Sequence, residues 1–368
     1  MTTITALDTT HYRLPLDPPL SDSTHGLMTH FELVTVRLTD SDGCEGLGYT
    51  YAVNHGGSAI RALIADDLAD LLIGQDPDRI AHLWDKMWWA VHYPGRGGLV
   101  SFAFAAIDIA LWDRMGKARG MPLWKLLGGH DPKVMAYVGG IDLELSLPEL
   151  MAQTDANLAK GFKAVKMKVG RNNLHEDVER VAAHREYLDK HGGAGFPLMA
   201  DANMRWSRDQ AQAAIRALEP MSLTWLEEPM IPDDEVGHAR LAALSSPPIA
   251  TGENFHTLYE FERMIRAGGV TFPEPDVSNC GGITPWMKVA TLAEANNLRV
   301  TSHGVHDIHV HLLAAIPNKS YMEWHGFGLE QYFETPALSL DEEGRATAPD
   351  RPGHGVAFEW AKLAPFKR

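Results

Sequence analysis

The segment KAVKMKV, residues 163–169, has the apolar composition of a buried β-strand and carries Lys166 and Lys168 two positions apart. Side chains at positions i and i+2 of a strand lie on the same face, so both ammonium groups are expected to approach one point. Two like charges at this separation are unfavourable unless anions lie beside them. The sequence therefore predicts a cluster of carboxylates facing this strand.

Three acidic residues follow at a constant spacing, each at the end of a short apolar run. Asp201 lies in PLMADAN, Glu227 in TWLEEP and Glu253 in IATGE, and the two intervals are equal. Each interval has room for one strand, one helix and their loops. In a parallel barrel the carboxyl ends of the strands share one face, so the three carboxylates should converge there. Such a set of oxygen ligands predicts one Mg²⁺ ion per subunit.

A similar but less regular spacing continues further along the chain. Asp276 lies in PEPDVSN, His303 in RVTSHG and Glu323 in YMEWH. A carboxylate beside an imidazole fixes its tautomer and raises its basicity, which makes His303 a candidate general base across the metal site from the lysines. His306 and His309, at the start of the following helix, are expected to pack or hydrogen-bond rather than to bind a metal.

Together these residues resemble the mandelate racemase subgroup of the enolase superfamily. The likeness covers nearly the whole chain and includes the segments DANMRW, WLEEP, TGEN, CGGIT and TSHGVHDIHVHLLAA. The resemblance implies an α/β fold, a modified TIM-type (β/α)7β barrel with an N-terminal α+β capping domain that the C-terminal segment completes. It also implies a homo-oligomer, either an octamer or a dimer.

The domain boundaries follow from changes in periodicity. Alternating apolar and polar residues and then helical spacing predict an α+β capping domain, or lid, over residues 1–130. Alternating strands and helices predict the barrel over residues 131–325. Residues 326–368 are expected to pack back on the lid. Within the lid, PLDPPLSDSTHGLM, residues 15–28, is predicted to be a loop.

Composition excludes several classes of protein. A net charge of −15 and a pI near 5.6 argue against a nucleic-acid partner, because nucleic-acid-binding proteins present a basic face. Cys44 and Cys280 are the only cysteines, too few for a disulfide framework. No apolar run approaches the ~20 residues of a membrane span. The sequence therefore predicts a soluble, cytoplasmic protein.

The resemblance implies a role for each member of the cluster. Lys168 is a general base at the α-carbon of a small-molecule carboxylate, and Lys166 contacts the substrate carboxylate and lowers the pKa of its neighbour. Asp276 orients His303. Glu323, in its neutral form, donates a hydrogen bond to the substrate carboxylate as the enediolate forms.

These groups suit abstraction of the proton α to a carboxylate, because a metal ion and hydrogen-bond donors stabilise the enediolate. Loss of a β-hydroxyl from an acid sugar, an aldonate or aldarate, gives a 2-keto-3-deoxy acid. We favour this dehydration, with His303 as the acid, because it is common in the subgroup and the lid loop is polar. The alternative is a racemase or epimerase of a mandelate-type 2-hydroxy acid, and a non-catalytic binding protein is a third hypothesis.

Three further residues are predicted to contact the substrate: Asn203, His25 and Arg96. His25 lies in the polar lid loop and Arg96 in YPGRGG. His25 and Arg96 are the two candidate cations near the lid that could bind a second carboxylate. The sequence leaves open whether the substrate is a monoacid or a diacid.

Overall fold

The computed structural model describes residues 1–244, 246–325 and 327–368. The chain begins with an antiparallel sheet of three strands in the order β1-β2-β3. These are β1 (Ile4–Ser21), β2 (Leu27–Asp40) and β3 (Glu45–Val53).

The first strand is longer than the sequence predicts. β1 pairs with β2 up to Pro15 and again at Leu20 and Ser21, with an irregularity between. It is an edge strand, where prolines are tolerated because one side needs no ladder hydrogen bonds. The predicted loop at residues 15–28 is therefore wrong in extent, and only residues 22–26 connect the two strands.

The lid helices pack against this sheet. They are α1 (Gly57–Ala62), a π-helical turn (Leu63–Leu68), α2 (Ala69–Leu72), α3 (Ile80–Val91), α4 (Leu99–Ala118) and α5 (Leu123–Leu126). Helix α4 lies directly on β3, where a Cβ atom at Gly46 or Gly48 would lie 2.0 Å from the carbonyl oxygen of Ala110 or Ala106. Glycine at both positions permits this close approach of helix and strand.

The second sheet is the barrel. Its parallel strands are β4 (Lys133–Gly139), β5 (Val165–Lys168), β6 (Leu198–Asp201), β7 (Leu226–Glu227), β8 (Ile249–Thr251), β9 (Phe272–Pro273) and β10 (Tyr321–Trp324), in the order β10-β4-β5-β6-β7-β8-β9. The segment before His303 lies between β9 and β10. It is joined to them through hydrogen bonds from Thr301 N to Pro273 O (3.1 Å) and from Ser320 N to Val300 O (2.7 Å).

Helices connect the barrel strands. They are α6 (Leu147–Ala159), α7 (Leu174–His191), α8 (Arg208–Leu218), α9 (Glu235–Ala242), α10 (Leu258–Ala267), α11 (Ile283–Ala295) and α12 (His306–Ala315). Capping boxes begin α8 and α10, where Ser207 and Thr257 each pair with the residue three positions later and satisfy the first turn. Short 3₁₀ turns occur at Glu219–Met221, Leu329–Tyr332 and Ala364–Phe366.

The C-terminal segment contacts both parts of the molecule. Its strand β11 (Arg345–Thr347) pairs antiparallel with β4 of the barrel, and helix α13 (Trp360–Leu363) follows. Lys367 forms a bridge with Tyr12 of the lid sheet. The segment thus packs on the barrel as well as on the lid.

Large apolar side chains fill the barrel interior beneath the carboxyl ends of the strands. They belong to one buried cluster that includes Tyr137, Met199, Trp225 and Phe272. We call this cluster the apolar plug. Because it fills the interior, polar side chains meet above it, at the carboxyl ends of the strands. Within the described ranges, no helix combines the length and apolarity needed to cross a bilayer.

His184, on α7, gives the fold a measurable acid sensitivity. Its Nε2 lies 2.8 Å from Thr154 Oγ1 and its Nδ1 lies 3.3 Å from Met167 Sδ. Burial, followed by Arg180 and Arg185, lowers the pKa of His184 from 6.5 to about 4. Between pH 6.5 and pH 4, His184 is therefore protonated in the unfolded chain but neutral in the folded chain. The free energy of unfolding decreases as the pH falls through this range.

We expect His184 alone to lower the free energy of unfolding by about 2 kcal/mol between pH 7 and pH 5. Urea unfolding at the two pH values measures this loss. The His184→Gln variant should lack this share of the pH dependence, whereas the exposed His191→Gln should retain it. Equal pH dependence in wild type and His184→Gln would contradict the prediction.

Candidate active site

Three carboxylates converge at the ends of neighbouring barrel strands. Asp201 ends β6, Glu227 ends β7 and Glu253 follows β8, and one oxygen of each lies within 4.8 Å of the others. Asp201 and Glu227 have no exposed surface and Glu253 is 8% exposed. The structure therefore brings together the three predicted metal ligands.

This cluster has the properties of a cation site. Burial raises the pKa of Glu227 to about 8; Lys166 opposes this shift, and the carboxylates of Asp201 and Glu253 add to it. Buried like charges are unfavourable unless an opposite charge compensates them. Carboxylate oxygens without nitrogen or sulfur ligands suit Mg²⁺. The donor set present thus fits the predicted ion.

The two lysines of β5 point into the same cluster. Lys166 Nζ lies 2.6 Å from Glu227 Oε1 and 2.8 Å from Glu323 Oε1. Lys168 Nζ lies 2.5 Å from Asp201 Oδ2, because Lys168 and Asp201 are register partners in the β5–β6 ladder. The predicted shared face of the two lysines is present, and carboxylates surround it.

The pKa values of the two lysines are raised by the surrounding protein groups, whereas the resemblance implies that the pKa of Lys168 is lowered. Burial lowers the pKa of Lys168, but the carboxylates led by Asp201 outweigh it and the net pKa is raised. The same balance raises the pKa of Lys166. Because the lysines and the predicted ion use the same oxygens, a bound cation would weaken the contacts that hold both ammonium groups charged.

His303 and Asp276 form the predicted pair. His303 Nδ1 lies 3.0 Å from Asp276 Oδ2, which also accepts a hydrogen bond from the Tyr51 hydroxyl at 3.0 Å. His303 Nε2 lies 3.2 Å from Glu253 Oε2. Burial lowers the pKa of His303, but Glu253, Asp276 and Glu323 raise it to about 10. Asp276 therefore fixes the ring so that Nε2 faces the carboxylate cluster.

Glu323 contacts a backbone amide and a lysine of the site. Its Oε2 accepts a hydrogen bond from Gly304 N at 2.8 Å, and its Oε1 contacts Lys166. Burial raises the pKa of this carboxyl, but Lys166 and His303 outweigh burial and hold the pKa well below its usual range. Both oxygens of Glu323 accept here, and the neutral donor form that the resemblance implies stays a prediction.

A cavity of about 250 Å³ adjoins these groups. Its walls include Lys168, His303 and Glu323, together with the predicted substrate contacts Asn203 and His25. Asn203 Oδ1 is buried and has no hydrogen-bond partner among the described residues, so it is free to bind a ligand.

Arg96 does not line this cavity, so the structure does not bring it together with the other predicted substrate contacts. It lines a separate cleft of about 190 Å³ between lid helices and the loops that follow β8 and β9. The neighbouring Gly97 lies against His256, where an added Cβ would be 3.1 Å from that residue's Cβ. The glycine-rich loop thus packs against the loop that follows β8, and Arg96 lies in the separate cleft and not in the cavity.

The lid loop closes the mouth of the barrel. Ser23 Oγ donates to Ala202 O at 2.7 Å and Thr24 Oγ1 donates to Asn203 O at 2.5 Å. His25 Nδ1 lies 2.7 Å from Asp22 Oδ2, and this pairing leads the rise in the pKa of His25. The loop is therefore attached to the same barrel segment that carries Asp201.

Two polar residues near the site, Glu274 and His325, were not predicted from the sequence. Glu274 is fully buried, neither of its carboxylate oxygens has a hydrogen-bond partner among the described residues, and burial raises its pKa well above the usual value. His325 lines the cavity. Each lies two residues from a predicted site residue, Asp276 or Glu323. The i, i+2 rule that identified the lysine pair would have identified them.

Comparison with known proteins adds to this geometry. The family described as "Mandelate racemase / muconate lactonizing enzyme, N-terminal domain" matches residues 4–128, and "Enolase C-terminal domain-like" matches residues 149–362. A 3,6-anhydro-alpha-L-galactonate cycloisomerase from Streptomyces coelicolor is 56% identical over 352 residues, which cover 96% of both chains.

Solved structures give the same result. A racemase from Streptomyces coelicolor with bound magnesium superposes with a TM-score of 0.95 at 54% identity, over 99% of this chain and all of the other. An L-talarate/galactarate dehydratase from Salmonella typhimurium, with Mg and L-lyxarohydroxamate, superposes with a TM-score of 0.94 at 34% identity, over 100% of this chain and 93% of the other. The predicted fold and the predicted Mg²⁺ cofactor are confirmed. The chain belongs to the mandelate racemase/muconate lactonizing enzyme family of the enolase superfamily.

Proposed function

We propose that this chain catalyses Mg²⁺-dependent β-elimination from an acid sugar that carries a single carboxylate. The observation that carries this proposal is the placement of Lys168 and His303 on the wall of one cavity, beside the Asp201–Glu227–Glu253 cluster. Two proton-transfer groups from strands on different sides of the barrel can reach a substrate from two directions.

Each residue then has a defined task. Lys168 removes the α-proton, and the electron pair left behind forms the enediolate of the substrate carboxylate. His303, oriented by Asp276, gives a proton to the oxygen that leaves the β-carbon. Lys166 contacts the substrate carboxylate. Its ammonium group is held in place by Glu227 and Glu323.

Asp201, Glu227 and Glu253 would hold Mg²⁺, which when bound supplies positive charge to a carboxylate whose negative charge increases during proton removal. The elimination balances without an external oxidant or reductant. A C–H bond and a C–O bond break, an enol forms, and the enol takes a proton at the β-carbon to give a 2-keto-3-deoxy acid. Racemisation would use the same abstraction but return the proton to the α-carbon.

The leaving oxygen can be a hydroxyl or part of a ring. A free hydroxyl leaves as water, which makes the enzyme a dehydratase. An ether oxygen stays attached through the other end of the ring, so that the product is an isomer of the substrate. The 56% identity to a 3,6-anhydro-alpha-L-galactonate cycloisomerase supports an anhydro-aldonate as the first substrate to test.

The charge of the cavity supports a monoacid. Among the described residues, its walls contain no arginine, and Lys168 is the one lysine. His25 is already paired with Asp22. The uncharged hydrogen-bonding groups Asn203, Asn254 and Asn279 also line the cavity. A second carboxylate would lose its water without gaining a free cation, whereas hydroxyl groups match these amides.

The test is a screen of anhydro-aldonates, aldonates and aldarates with Mg²⁺, in which semicarbazide detects 2-keto acids. We expect product from monoacids, with kcat/KM at least about 10-fold above that for aldarates of equal length. Aldarates as the best substrates would contradict the monoacid proposal. A 2-hydroxy acid that only inverts at the α-carbon would contradict elimination.

We also propose that the protein is cytoplasmic and that its domains are divided near residues 130 and 325. We further propose that it is a homo-oligomer. The aromatic side chains Trp89, Tyr93 and Tyr259 support association, because they are 61%, 94% and 61% exposed. Light scattering of the purified chain would give its mass in solution. A monomer at micromolar concentration would contradict this part of the proposal.

A further inference from the structure

His325 lines the active-site cavity, and the proposed mechanism does not use its imidazole. Its ring packs edge-on against Phe327, with centroids 4.2 Å apart and an interplanar angle of 79°. Its Nε2 is buried and has no hydrogen-bond partner among the described residues. A buried polar atom of this kind is normally satisfied by a ligand or water.

The imidazole is uncharged in this environment. Burial lowers the pKa of His325 and Glu323 opposes this shift, but His303, Lys168 and Lys166 add to it, so that the net pKa is about 4. A neutral imidazole offers one N–H donor and one acceptor nitrogen. It therefore suits an uncharged oxygen and supplies no positive charge to balance a carboxylate.

The position of His325 separates it from the reacting end of the substrate. It follows Glu323 by two residues in the direction in which β10 leaves the barrel, a displacement of up to about 7 Å towards the lid. It also lines a second cavity of about 730 Å³, and the two cavities share His325, Gly139 and Phe327 in their walls. A group bound by His325 would therefore lie away from the carboxylate cluster.

We propose that His325 is a specificity-determining residue whose Nε2 hydrogen-bonds an uncharged hydroxyl oxygen in the distal part of an acid sugar, away from the oxygen that leaves. This inference rests on the proposed function, because it assumes that the carboxylate end of such a substrate lies at the metal site. It assigns to one residue the recognition of a part of the substrate that takes no part in bond breaking.

The test measures binding apart from turnover. A 3-deoxyaldonate lacks the leaving oxygen, so its affinity in the presence of Mg²⁺ can be measured by calorimetry without reaction. We expect His325→Leu to weaken binding about 10- to 100-fold with unchanged Mg²⁺ affinity, and His325→Gln to recover most of the loss. The exposed His82→Leu is the matched control and should bind as the wild type does.

A series of analogues with one distal oxygen removed locates the contact. For the analogue that lacks the bound oxygen, wild type and His325→Leu should have equal affinity, whereas for the others the loss should persist. A purely structural role would weaken all analogues alike, and this result would overturn the proposal. Unchanged affinity of His325→Leu for every analogue would also overturn it.

The result is separable from the proposed reaction. Oxygen-specific loss of binding without formation of a keto acid would refute β-elimination but uphold the role of His325. Keto-acid formation with wild-type affinity in His325→Leu would do the reverse. If His325→Leu does not fold, His325→Asn replaces it, since its shorter amide should show the same oxygen-specific loss.

Discussion

Replacing Lys168 with alanine should lower turnover of the acid sugar by about 10⁴-fold and abolish exchange of its α-proton in D₂O, because the substitution removes the base to which we assign that proton. Lys168 lies on the cavity wall, whereas its neighbour Lys166 is held between Glu227 and Glu323. Proton NMR of the substrate measures exchange and elimination in the same sample. The exposed Lys163→Ala is the control from the same segment.

The partner variant His303→Asn should lose elimination by a similar factor but retain exchange, since it removes the proton donor to the leaving oxygen and not the abstracting base. The opposite pattern would place abstraction on the His303–Asp276 pair. Exchange that survives in both single variants would contradict the assignment of two residues to two steps.

Glu227→Gln should weaken Mg²⁺ binding by at least about 10²-fold and abolish turnover, while the fold is retained. Glu227 is a strand-end residue above the apolar plug, so its loss removes a ligand and not a part of the core. The substitution also removes one of several clustered buried carboxylates, which reduces repulsion in the metal-free protein. Calorimetry with Mg²⁺ and circular dichroism measure the two effects.

The matched control is the exposed Glu219→Gln, which should bind Mg²⁺ as the wild type does. Full activity of Glu227→Gln, or of the wild type in excess chelator, would contradict the metal site. Loss of the folded state in Glu227→Gln would show that the carboxylate contributes to the fold through its contacts with Lys166 and the Trp225 indole.

The sequence predicts the centre of this site well because its residues lie on or directly after strands. Strand periodicity places Lys166 and Lys168 on one face, and the repeated βα unit brings Asp201, Glu227 and Glu253 to one end of the barrel. These relations depend on backbone geometry that varies little. The structure agrees with them in detail.

Predictions that depend on loop conformation are less accurate. Arg96 precedes two glycines, whose backbone angles the sequence does not determine, and the loop turns outward to a separate cleft. The lowered pKa of Glu323 depends on the distance to Lys166, which alternation along a strand does not specify. Charge states and loop paths therefore required the three-dimensional arrangement.

The site is expected to remove an α-proton in an Mg²⁺-dependent step and then to eliminate the oxygen at the β-carbon. The most direct measurement is NMR of the product formed from an anhydro-aldonate or aldonate in D₂O, with Mg²⁺ and with excess chelator. We predict a 2-keto-3-deoxy acid that carries one deuterium at C3 with Mg²⁺, and no product with chelator. Product formed in chelator, or recovery of the substrate inverted and deuterated at the α-carbon without a keto acid, would contradict the claim.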